Sequence, residues 1–99
     1  MTRRLRFRPQ AEADVLAIWD FTAARWSAEQ AEGYLTGLQD TLALLCEHPD
    51  IARLVHDLTP PARLHPYRSH LVIFIEDETM LEVIRIVHMR SNWRGVIAD

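Results

Sequence analysis

Six side chains toward the C-terminus, Arg63, Arg68, Arg85, His88, Arg90 and Arg94, are the residue types in this chain best suited to chemistry on an anion. Several guanidinium groups beside an imidazole can stabilise the pentacoordinate phosphate of RNA cleavage, with the histidine exchanging a proton, or they can simply grip an acidic partner. Composition alone prefers the second use. Arg85 and His88 are an odd number of positions apart, so in a regular strand they face opposite sides unless a bulge intervenes. Trp93 lies between Arg90 and Arg94. A tryptophan in such a short basic tail suits an interface anchor, or folds back onto the body of the protein.

Other constellations are weaker. His48, His56, His65, His70 and His88 show neither the paired spacing nor the thiolate partners of common zinc sites, and no metal is expected. Ser69 and His70 are neighbours whose side chains point to opposite faces of a strand, which does not make a nucleophile. Cys46 is the only cysteine, placed on a helix as a small hydrophobe. Gly33, Gly37 and Gly95 are scattered, with no phosphate loop among them and no cofactor implied. Gly33 and Gly37, four apart, share a helix face and suit close packing of a helix hairpin.

These residues have to be positioned by the elements around them. Arg4 to Arg8 alternates with period two, a short strand with Leu5 and Phe7 inward, and Pro9 stops it. Ala11, Val15, Ile18, Trp19, Thr22 and Trp26 recur at helical spacing, giving a first amphipathic helix that ends near Trp26. Ser27 and Gln30 have the spacing of a capping box, and Ala31, Tyr34, Leu35, Leu38, Leu42 and Leu45 carry a second helix that Pro49 stops at His48. With almost no linker, the two form a hairpin. Residues 50–61 have a loop composition. Ala62 to Tyr67 fits a short strand that Pro66 confines to an edge or bulge, and stronger strands follow at about 70–76 and 80–89. The expected order is β-α-α-β-β-β in an α+β fold, a helix hairpin on one face of a small, mainly antiparallel sheet whose other face or edge is open to a partner.

Ninety-nine residues, 48% hydrophobic and 25% charged, suit one domain over residues 1–99. The eleven basic residues are all arginine, and the net charge of −3 argues against whole-surface binding to nucleic acid. No apolar run approaches the roughly 18–20 residues of a membrane span and no signal-peptide core follows Met1, so a cytoplasmic protein with no membrane partner is expected.

The order of several short motifs resembles the ParE branch of the RelE/ParE toxins. Ala13 to Thr22, then Arg25-Trp26-Ser27 and Gln30 to Tyr34, resemble the first helix and helix junction of those toxins. Cys46 to Pro49 resembles their proline-terminated second helix, Tyr67 to His70 their entry into the central strand, and Val83 to His88 their penultimate strand. Many members have glycine just before the Ser-His step, where this chain has Arg68. The resemblance implies a growth-arresting, plasmid-stabilising toxin that inhibits DNA gyrase without being an enzyme. A ParD-like antitoxin with an acidic C-terminal segment would hold it inactive. It assigns Arg63, Tyr67, Arg68 and His70 to the antitoxin, and Arg85, His88, Arg90, Trp93 and Arg94 to the target. The alternatives are a RelE-type, ribosome-dependent endoribonuclease using Arg68, Arg85 and His88, and a non-toxic module that only binds an antitoxin.

Overall fold

The computed structural model describes residues 2–97. The chain runs β1 (Arg4–Phe7), α1 (Pro9–Arg25), α2 (Ala28–Glu47), a 3-10 turn (Pro49–Ile51), β2 (Arg53–Val55), β3 (Ala62–Tyr67), β4 (His70–Glu76), β5 (Met80–His88) and α3 (Trp93–Ile97).

Local chemistry sets the helix boundaries. Pro9 opens α1 after an extended Arg8, and the Trp26 N–H donates to the Thr22 carbonyl at its close. One residue later the Ser27 hydroxyl accepts the Gln30 N–H at 3.0 Å and starts α2, so a single break at Trp26–Ser27 folds the helices back on each other. Proline at 49 ends the α-helical hydrogen bonding and opens the 3-10 turn.

The sheet order is β1-β5-β4-β3-β2, antiparallel throughout except that β1 runs parallel to β5. The α1–α2 pair covers one face. There Ala11, Ile18, Leu38, Leu42 and Cys46 pack against Val72, Phe74, Leu81, Val83 and Ile86 in the main core.

The second face is not open, which corrects the expectation from sequence. Val55, Ala62, Leu64, Ile73 and Val87 form a further cluster there, joined by Leu58, Trp93, Val96 and Ile97. The region expected to be loop contributes β2, and the tail contributes α3. The reason is visible in β4, whose Leu71 to Ile75 run is apolar on both faces and must be covered on both. Trp93 therefore folds onto the sheet face opposite the helix pair.

Three smaller corrections follow from position. Trp26, placed on the core face by periodicity, is 62% exposed at the helix end, with the Arg25 guanidinium over its ring. Leu5 is also exposed, because β1 is a terminal strand with no neighbour on its outer side. Gly33 and Gly37 do not mediate helix packing: Gly33 faces open space, and Gly37 makes room for the Tyr67 hydroxyl from the sheet. Pro66 sits in an interior strand but obeys its restriction locally, since β2 pairs only as far as Leu64 and leaves Pro66 unpaired on that side.

Candidate functional site

The hairpin between β3 and β4 closes at the Tyr67–His70 pair, leaving Arg68 and Ser69 as a two-residue turn. Such turns require a left-handed first residue, and Arg68 supplies it at φ 51°. Glycine adopts this conformation freely, whereas an L side chain costs about 1 kcal/mol. The Arg68 guanidinium lies 5.9 Å from the Tyr34 ring and 5.7 Å from the Tyr67 ring, within cation–π range of both.

Beneath it the two tyrosines lock α2 to the sheet. The Tyr67 hydroxyl donates to the Tyr34 carbonyl at 2.7 Å, in the space left by Gly37. The Tyr34 hydroxyl lies 2.5 Å from His70 Nδ1. Burial pushes the Tyr34 phenol up and His70 down from their ordinary values, and His88 adds to the fall at His70. Near neutral pH both are therefore uncharged, and a single hydrogen joins the phenol oxygen to Nδ1.

His70 and His88 face each other across β4 and β5, their rings 5.8 Å apart. His88 Nδ1 accepts the Arg90 N–H at 3.1 Å. The bulge on which the parity of Arg85 and His88 depended is present. The register steps from Ile73↔Arg85 to Phe74↔Val83, so Ile84 has no partner and the alternation of β5 resets. Arg85, Ile86 and His88 consequently all lie toward α1. Asp14 fastens this bulge by accepting Arg85 Nε at 2.8 Å, Arg85 Nη2 at 2.9 Å and the Ile86 N–H at 2.9 Å.

Between α1 and these strand ends runs a groove of about 440 Å³, walled by Ala17, Ile18 and Phe21 on the helix and by His70, Ile86 and His88 on the strands. Phe21 is 67% exposed on its rim. A phenylalanine so placed has apolar area to give to a partner.

The residues singled out from sequence divide into three groups. Tyr67, Arg68, His70 and His88 gather around the turn and groove. Arg63 and Arg85 are committed within the fold, Arg63 to Glu76 at 3.2 Å and the Ala52 carbonyl at 2.8 Å, and Arg85 to Asp14. Arg94 pairs with Asp57 at 2.9 Å and lies over the ring of Trp93, while Arg90 is exposed and unpaired among the described residues. The three residues of the RNA-cleaving alternative thus have different surroundings: tyrosine rings for Arg68, a carboxylate for Arg85 and the groove for His88. Sequence reasoning did not single out Asp14, Phe21, or the phenol of Tyr34 as a polar partner. Asp14 left a signal, since it shares a helix face with Ile18 and Phe21, where a carboxylate needs a partner.

Among the described residues no three His, Cys, Asp or Glu side chains converge as a metal cage, and no helix is long and apolar enough to cross a membrane.

The model of the ParE toxin of type II toxin-antitoxin system, parDE, matches residues 5–93. Toxin ParE1 of Mycobacterium tuberculosis is 33% identical over 93 residues, spanning 93% of this chain and 95% of that protein. Toxin ParE1 of Caulobacter vibrioides is 34% identical over 90 residues, spanning 91% and 93%. A chain of the chromosomal ParDE TA system from P. aeruginosa superposes with a TM-score of 0.73 at 17% identity, covering 88% of this chain and 96% of its own, a likeness of fold.

Proposed function

The chain belongs to the ParE toxin family of type II toxin-antitoxin systems, and from that premise we propose that its target is DNA gyrase, that it acts by binding without chemistry of its own, and that a ParD-like antitoxin silences it by filling the groove between α1 and the ends of β4 and β5.

The observation that carries the antitoxin reading is the pairing of an apolar wall with an unpaired cation. Ala17, Ile18, Phe21 and Ile86 offer apolar surface, and the turn beside them holds Arg68. That combination suits an amphipathic segment with acidic residues, which buries its apolar side chains and sets a carboxylate on the guanidinium. Tyr67 and His70 shape the same place; Arg63, held by Glu76, supports the sheet instead.

The non-enzymatic reading is supported by Arg85. Metal-independent RNA cleavage would ask Arg68, Arg85 and His88 to share one phosphate, and the Arg85 fork is taken up by both oxygens of Asp14. For the gyrase contact we assign the end of β5, where His88, Met89 and Arg90 are exposed in succession. Trp93 and Arg94 back this surface through the second core and the Asp57 pair. Gyrase as target sets the site of action in the cytoplasm.

Parallel pulses of labelled thymidine and labelled methionine, in the first minutes after the chain is induced without antitoxin, test this reading. Thymidine incorporation is expected to fall first. An early fall in methionine incorporation would replace gyrase by messenger RNA, and normal growth would leave only antitoxin binding.

A further inference from the structure

Resting on that antitoxin reading, we infer that Arg68 is a carboxylate clamp that selects the antitoxin, its guanidinium pairing with an aspartate or glutamate side chain of the segment seated in the groove.

The backbone is the first observation. A two-residue hairpin turn needs a left-handed residue at its first central position, and here that residue is an arginine at φ 51°. A long L side chain persists in such a place when it contributes something that glycine cannot. Inside the fold its charge meets no anion: among the described residues Arg68 makes no ion pair and no side-chain hydrogen bond, and its neighbours are the rings of Tyr34 and Tyr67. Arg3, Arg6, Arg8, Arg63, Arg85 and Arg94, by contrast, each have a carboxylate.

The second observation is how the guanidinium is held. The rings of Tyr34 and Tyr67, themselves locked by the hydrogen bond from the Tyr67 hydroxyl to the Tyr34 carbonyl, lie 5.9 Å and 5.7 Å from it. Contact with ring faces restrains a long side chain while leaving its five N–H donors free, which lowers the ordering cost of binding a planar anion.

The third is the neighbourhood. Ser69 and His70, the next two residues, line the groove. His70 is neutral because burial disfavours its charged form, and the Asp14 carboxylate is already occupied by Arg85. Among the described residues Arg68 and Arg90 are the cations near this end of the groove without a carboxylate, and of the two it is Arg68 that ring faces hold in place. The fork of arginine matches a carboxylate, so an incoming acid is recognised by shape as well as charge.

The test is titration calorimetry of the full-length chain with its cognate antitoxin, alongside thermal melts of the chain alone. Arg68→Gly is expected to raise the Tm of the free chain by relieving the turn, and to raise the Kd for antitoxin about tenfold or more while weakening its salt dependence. Arg68→Ala, which keeps the unfavourable backbone, is expected to weaken binding equally without the gain in Tm. Gain of stability with loss of affinity is the signature, because a merely structural arginine would lose both together. Arg68→Gly with wild-type affinity overturns the clamp, as does a loss of binding in Arg68→Gly accompanied by a fall in its Tm. Failure of the wild-type chain to bind antitoxin overturns the parent reading, and the clamp with it.

Discussion

Asp14 joins α1 to the bulge in β5 through three hydrogen bonds, two from Arg85 and one from the Ile86 N–H. Removing the carboxylate strands a half-buried guanidinium and a backbone donor at once, so Asp14→Ala should cost about 2 kcal/mol in urea denaturation, a discount from fully buried pairs because both side chains keep some solvent contact. A second expectation concerns protons. Burial holds His70 and His65 below their ordinary value of 6.5, so the unfolded chain takes up protons that the native state resists. Stability is therefore at its full value above pH 6.5 and falls as the pH drops below it, through the window between 6.5 and the lowered native values. The urea midpoint should decline from pH 7.5 to 5.5, and His70→Gln should flatten part of that slope. Asp57 and Asp77 contribute only at more acid pH, since hydrogen bonds depress both below 3.8. At this scale the sequence exposed residue types but not their partners. That Arg85 is neutralised by a residue of the first helix depends on a bulge no periodicity encodes, and that Arg68 is left-handed depends on where the strands pair.

The elements were more legible because their stops are chemical. Pro9, the Ser27–Gln30 cap and Pro49 bound both helices within a residue or two of where they lie. What spacing could not distinguish was which small residue meets what. Gly33 has nothing within 4 Å of an added methyl, whereas the same methyl on Gly37 would strike the Tyr67 hydroxyl. Gly33→Ala should thus stabilise the chain by up to about 1 kcal/mol through helix propensity. Gly37→Ala should destabilise it by about 1–2 kcal/mol as Tyr67 gives up its bond to the Tyr34 carbonyl. Thermal melts of the two variants should move in opposite directions. The missed elements, β2 and α3, are three and five residues long. Neither is long enough to establish a period, and their existence follows from the need to cover the far side of β4.

Taken whole, the molecule has two cores on one sheet, and the smaller depends on its C-terminal helix. Trp93 packs there with Val96 and Ile97 against Ile73 and Val87. Trp93→Ala should lower stability by about 2 kcal/mol, less than for a fully enclosed tryptophan, since this one is half-buried. Matched to the amount of folded protein, its arrest of thymidine incorporation should stay close to wild type if Arg90 and its neighbours make the gyrase contact. The parallel pairing of β1 with β5 has a further consequence, in time. Strand β1 finds its neighbour only when Met80 to Val83 have emerged, roughly 4–15 s later at ordinary rates of translation. Until then the Arg4–Phe7 segment has no ladder to join, and the groove lacks its Ile86 and His88 wall. If the proposed surfaces are the right ones, a chain that has not yet made β5 has neither the gyrase contact nor the antitoxin groove. On the proposed assignment both are finished together once β5 is made, so an antitoxin already present can capture each toxin as soon as that strand is in place.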